Sequence, residues 1–153
     1  MGKSGIKIKY LEEWKEAMQE NLNGLMNEIN QKMVECGLHL MTEAVSITPI
    51  DTGDLRGSAN VILGEEVIYG ADDSGNPIAK STIMKIKDKK IQQIEVSVGF
   101  NKAYAYIVHE DLYPTKGSTN WTDPNTGPKF LEKPFNENIE YYHKIIAEVL
   151  NNL

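Results

Sequence analysis

The chain is poor in the residues that most often carry chemistry. Its 153 residues include one cysteine, Cys36, and three histidines. A single cysteine excludes an internal disulfide and any zinc site built on several cysteines. Arginine is almost missing: fifteen of the sixteen cations are lysine, and Arg56 is the only arginine. Long hydrophobic runs are lacking too. No stretch approaches the ~18 apolar residues of a membrane span, so no membrane partner is expected. The opening Met1-Gly2-Lys3-Ser4-Gly5-Ile6-Lys7 has no apolar segment behind its charges, which is unlike a secretory leader. The expected setting is a reducing, aqueous compartment, or an exterior reached without the secretion pathway. Positive charge is short overall, with 16 Lys plus Arg against 22 Asp plus Glu and a net charge of -6. That argues against a protein whose main task is gripping a phosphate backbone. A wall that nucleic acid slides past without sticking is compatible with it.

What is present is ordinary for one folded domain: 41% hydrophobic and 25% charged residues. A globule of this length has a radius of gyration of roughly 15 Å. It can bury about two-thirds of its unfolded surface without a disulfide or a metal.

The strongest periodicity runs over residues 11–47. Leu11, Met18, Leu22, Leu25, Met26, Ile29, Met33, Cys36, Leu40, Ala44 and Ile47 form one stripe at helical spacing. Thr48-Pro49 ends it, because the residue before proline is pushed out of the helical region. Val34, Leu38, Met41 and Val45 form a second strip beside the first. Residues 34–47 are therefore expected to be buried on two sides, either wholly within the chain's own core or partly at a subunit interface, for which these four residues are candidates. A helix over residues 11–47 spans about 55 Å, while the globule is only about 40 Å across. Either Gly24 or Gly37 breaks the helix, or one end projects and needs a partner.

Residues 48–58, TPIDTGDLRGS, are dense in turn and capping types. Asp51 or Thr52 suits the cap of a short helical turn, with Asp54 near its N-terminus. Gly53 and Gly57 suit positive φ or a close backbone approach. The period then changes to two. Val61, Leu63, Val67 and Tyr69 predict a strand kinked at Gly64. Residues 71–77 read as a hairpin loop, and residues 78–87 as a weaker strand. Ile94, Val96, Val98 and Phe100 alternate with polar residues or glycine, as in a half-buried strand. Short connections make the sheet antiparallel. A short helix is expected over residues 103–110, an irregular loop over 111–129, and a last helix over about 131–150. On that helix Leu131, Phe135, Ile139, Tyr142, Ile146, Val149 and Leu153 share a face, and Pro134 fits its first turn. The fold class is α+β: a long N-terminal helix and a C-terminal helix packed on a small antiparallel sheet of three or four strands, in one domain over 1–153.

No catalytic constellation stands out. Gly2-Lys3-Ser4 lacks the upstream glycine and strand of a phosphate loop. His109-Glu110-Asp111 is the densest group of metal-ligand types, but neighbours on a helix point about 100° apart and do not converge on one ion. Asp51, Asp54 and Glu110 are carboxylates suited to acid–base work, yet caps account for the two aspartates. Cys36 lies on the apolar stripe, as an inert buried thiol would. Trp121, in a Ser/Thr/Asn/Pro loop, is a candidate interface anchor. Lys85, Lys87, Lys89 and Lys90 form a basic cluster that suits protection of a sheet edge.

Residues 48–58 after a long amphipathic helix resemble the P-x-D-T-G-x-L-R-x-S signature of a tailed-bacteriophage family. Its members are head–tail joining (neck), minor tail or minor capsid proteins. The signature falls on Pro49, Asp51, Thr52, Gly53, Leu55, Arg56 and Ser58. Residues 103–110, AYAYIVHE, are similar to the family's Y-A-x-x-V-E segment, through Tyr104, Ala105 and Glu110. Residues 128–135, PKFLEKPF, resemble its P-F-L-x-P-A start to the last helix, through Pro128, Phe130, Leu131 and Pro134. The chain departs where Asp111-Leu112-Tyr113-Pro114 replaces a glycine-containing turn, and where Phe135 replaces a small residue. The resemblance implies a non-enzymatic virion protein with no cofactor or metal, placed in the neck or upper tail after assembly in the host cytoplasm. It implies a homo-oligomeric ring, expected to be a hexamer, that meets other phage connector and tail proteins while genome DNA passes its channel without specific binding. It also makes Asp51, Thr52, Gly53, Leu55 and Arg56 a loop that holds the long helix against the sheet, with Arg56 pairing Asp51, Asp54 or Glu110. Tail-completion and tail-terminator proteins share this size and class. A small metal-dependent hydrolase built on His109, Glu110 and the Asp51/Asp54 loop is the competing reading, and it requires those side chains to converge in a pocket. A nucleic-acid-binding regulator using the lysine cluster is the third.

Overall fold

The computed structural model describes residues 11–50, 53–81, 95–112 and 123–152. A single helix, α1, runs over Leu11–Ile47 without a break at either glycine. Four strands follow in one antiparallel sheet: β1 (Ala59–Leu63), β2 (Glu66–Ala71), β3 (Pro77–Ala79) and β4 (Val96–Phe100), in the order β3-β2-β1-β4. Among the described residues a short helix α2 (Ala105–His109) and a C-terminal helix α3 (Glu132–Asn151) follow. The architecture is the expected α+β one, with long helices at the two ends of the chain and a four-stranded sheet between them in sequence.

Residues 61–69 are not one kinked strand. Leu63 pairs with Glu66, so Gly64-Glu65 is a two-residue hairpin turn, and Gly64 has a φ of 61°. Glycine supplies that left-handed conformation without steric cost. The four-residue spacing from Leu63 to Val67 keeps the alternation in phase across the turn, which hides it in the sequence. The register also shifts between Val61 and Ile62, a bulge that leaves Ile68, buried in the core, without a register partner in β1.

One face of the sheet carries α1. Met41, Val45, Ala59, Val61 and Ala71 form the main core cluster, with Val96, Val98 and Phe100 packed against it. Val34, Leu63 and Ile68 continue it toward the other end of the strands. Gly37 lets the helix approach closely: a Cβ there would lie 2.9 Å from both Val61 Cγ1 and Val96 Cγ1. α3 lies against α1 through Cys36, Leu40 and Tyr142, and reaches the sheet at Val98. Its buried stripe is Pro134, Tyr142 and Val149, while Phe135 is 42% exposed. The face is the expected one, with Tyr142 and Val149 buried and Leu131, Ile139 and Ile146 partly so, except that Pro134 is buried where Phe135 is expected.

The four proposed interface residues need correction. Val34, Met41 and Val45 are buried in the chain's own core, and Leu38 packs against it. They are the second covered side of residues 34–47, and the sheet is what covers it. Trp121 lies outside the described residues, as do Asp51, Thr52, Ile94 and the lysines at 85, 87, 89 and 90.

Candidate functional site

The three segments that carry the phage resemblance meet in one place. Leu55, Ala105, Val108 and Phe130 form a single buried cluster, with Ile47, Phe100 and Leu131 against it. Phe130 is 1% exposed, and its ring meets those of Phe100 and His109 edge-on, each with centroids 4.9 Å apart. The cluster sits at the C-terminal end of α1, whose last carbonyls have no partner inside the helix. Each of those carbonyls is satisfied from elsewhere. Thr48 is fully buried, and its Oγ1 donates to Ala44 O while its N–H donates to Val45 O. Arg56 Nη2 donates to Ser46 O and Nε to Thr48 O, and Gly127 N–H donates to Ile47 O. A guanidinium at this end also opposes the negative pole of the helix dipole.

This placement revises the expected role of Arg56. Its Nε and Nη2 donate to backbone carbonyls, and Asp51, one of its expected partners, lies outside the described residues. Burial holds its pKa below the usual arginine value, partly offset by Asp123. Asp54 faces Lys102 at 3.7 Å, and Glu110 takes His109 and Lys129. Gly53 has a φ of 86°, and a Cβ there would stand 2.6 Å from the carbonyl oxygen of Asp73 in the β2–β3 loop. Gly57 abuts the same aspartate. That loop is itself stiffened by Asp72, which accepts from the N–H groups of Ser74 and Asn76 and from Asn76 Nδ2. Those bonds, with the Asn76 side chain foremost, hold the Asp72 carboxyl below its ordinary pKa. Pro49 and Pro128 are partly buried beside these segments, and Ser58 Oγ closes the 3-10 turn Arg56–Ser58 on Leu55 O.

A polar lattice borders the cluster. His109 Nδ1 lies 2.7 Å from Glu110 Oε1, and His109 Nε2 lies 3.3 Å from the backbone N of Glu132, the first residue of α3. The neutral ring with its proton on Nδ1 satisfies both contacts, donating to Glu110 and accepting from Glu132. Lys129 has a φ of 59° and bridges Glu110 and Glu132 at 2.6 and 2.9 Å. Its ammonium, then His109, lowers the Glu110 pKa, and the two glutamates raise that of Lys129. Asp54 and Glu110 are thus engaged through different cations. Among the described residues no group of three or more His, Cys, Asp or Glu is placed to hold a metal ion. Cys36 is buried, and burial pushes its thiol pKa up, away from a reactive thiolate.

Among the described residues two open apolar surfaces stand out. One is a pocket of about 160 Å³ lined by Phe100, Ala105, Tyr106, His109, Phe130 and Leu131. Exposed Tyr104, Tyr106 and Ile107 lie on the same short segment. The other is the first third of α1, where Trp14 is 61%, Met18 42% and Leu22 49% exposed. Trp14 stands four residues before Met18, so helical spacing already places it beside the stripe. Among the described residues no helix is long and apolar enough to cross a membrane. Compared with protein-family models, with curated proteins and with solved structures, the chain matches none.

Proposed function

We propose that the chain is a structural component of a tailed-bacteriophage connector, assembling as a ring between the DNA-filled head and the tail tube. One observation carries the reading. The three segments that resemble the phage family, far apart in sequence, converge on the Leu55/Ala105/Val108/Phe130 cluster, where they cap and anchor the end of α1. Residues gathered for that purpose are devoted to holding a long helix rigidly on a small sheet. The exposed apolar stretch at the other end of the helix suits a part completed by assembly. The acidic balance suits a channel wall that does not retain passing DNA. The test is to delete the gene from its phage or prophage and image the particles. Filled heads separated from finished tails are expected, with the protein found by mass spectrometry in intact wild-type virions. Normal infectious particles from the deletion would overturn the assignment. Completed tails of abnormal length would favour the tail-terminator alternative.

A further inference from the structure

We infer that the basic segment of residues 82–94, which lies outside the described residues, docks along the acidic side of the first half of α1 in the same chain. The inference is independent of the phage assignment. It starts from the side of α1 that faces the sheet, where Val34, Gly37, Met41 and Val45 meet the strands. Carried back at helical spacing, that side bears Asn30, Asn27, Asn23, Glu20, Glu16 and Glu12. It turns from apolar to amide and then to carboxylate as the helix passes beyond the end of the strands. Trp14, Met18 and Leu22 lie on another side, in line with Cys36 and Leu40, which meet α3. Docking on the acidic side leaves that apolar stripe open.

Asn30 marks the change of character. It is 2% exposed, and its Oδ1 has no hydrogen-bond partner. A buried amide oxygen costs stability unless a donor reaches it, so this point calls for polar chain beside α1. Residues 82–94 leave and rejoin the sheet there. Ser81 Oγ donates to Glu66 Oε1 at 2.9 Å, Gly64 N–H donates to Glu95 O at 3.0 Å, and Val96 pairs with Leu63. Leu63 packs with Val34, one turn of α1 from Asn30. Length fits as well. Turned back at Asp88, the segment has two legs of about six residues, reaching roughly 20 Å when extended. Asn30 to Glu16 along the helix is about 21 Å. Charge is complementary. The segment carries Lys85, Lys87, Lys89 and Lys90 against Asp88, and residues 11–24 carry Glu12, Glu13, Glu16 and Glu20 against Lys15. Lys15 pairs with Glu12 at 3.0 Å, which leaves the acidic excess on the following turns. A segment tied at both ends beside the helix holds its lysines there at high effective concentration, which favours it over the same segment of another copy.

The test treats the full chain, an equal mixture of unlabelled and nitrogen-15-labelled protein, with a carbodiimide that joins lysines to carboxylates in contact. Cross-links are mapped by mass spectrometry. Links from Lys85, Lys87, Lys89 or Lys90 to Glu12, Glu16 or Glu20 are expected within one isotope label. The ion pairs Lys102–Asp54 and Lys129–Glu132 serve as positive controls. In parallel, Glu16→Lys combined with Glu20→Lys is expected to abolish those links and to speed amide exchange over residues 82–94 by about fivefold, the size of a few exposed ion pairs. Reversing the charge at Lys85 and Lys87 in the same protein should restore the slower exchange. Control links without the segment's links would overturn the proposal, as would exchange over 82–94 that ignores the charge reversal. Links that join one label to the other would assign the segment to a neighbouring copy and overturn it too. Tight duplex-DNA binding through the lysines, with no link to α1, would replace it with the nucleic-acid reading.

Discussion

At the scale of residues, Arg56 shows what the motif loop is for. A planar guanidinium reaches two carbonyls at once, Thr48 O at 2.9 Å and Ser46 O at 3.3 Å. An ammonium is a point charge on a flexible stem and does not reproduce that fork. Arg56→Ala removes both donors and leaves the end of α1 open. A loss of about 1.5–3 kcal/mol is expected in urea unfolding, the range for hydrogen bonds to a charged group. Arg56→Lys is expected to recover less than half of it. An Arg56→Ala protein as stable as wild type would show that water satisfies those carbonyls equally well.

At the scale of elements, α1 is one helix with two environments. Gly24 has nothing within 4 Å of a built Cβ, whereas at Gly37 the same atom meets two valines at 2.9 Å. The identical substitution should therefore have opposite signs. Gly24→Ala removes backbone freedom at no steric cost and should stabilise the helix by about 0.5–1 kcal/mol, read as slower amide exchange over residues 18–28. Gly37→Ala forces α1 away from β1 and β4 and should cost about 1–3 kcal/mol. Equal effects at the two sites would contradict the packing described here. Residues 34–47 spend their apolar surface on the sheet and α3, and residues 11–24 have neither beside them.

At the scale of the whole molecule, the seam between α1 and α3 ties global stability to alkaline pH. Tyr142 is 8% exposed, its hydroxyl lies 3.0 Å from His39 Nδ1, and the rings meet at 5.8 Å. Burial, then the negative charge available from Cys36, Glu43 and Tyr141, pushes its pKa from 10.0 up to about 12. A folded-state value above the unfolded one means that its contribution is whole below pH 10 and is lost as the pH rises through about 12. Stability from chemical denaturation should fall across that window in the wild type. In Tyr142→Phe the fall should be shallower, because the phenolate that the seam excludes no longer exists. Parallel curves for the two proteins would remove Tyr142 from the account.

Local patterns along the chain marked the helices and the strand β4. Helical spacing marked residues 11–47 as a helix, alternation marked Val96 to Phe100 as a strand, and proline and glycine marked most boundaries. These signals are short-range, so they survive without knowledge of neighbours. The same locality concealed the Gly64 hairpin, whose turn keeps the alternation in phase. Which apolar residues are core and which are surface was settled only by tertiary structure. Val34, Met41 and Val45 face a sheet that forms later in the sequence, and Trp14 faces none. The capping of α1 by Arg56 and Gly127 likewise joins segments up to about 80 residues apart. A carbonyl's partner is a matter of proximity in space, and no periodicity in a linear sequence encodes it.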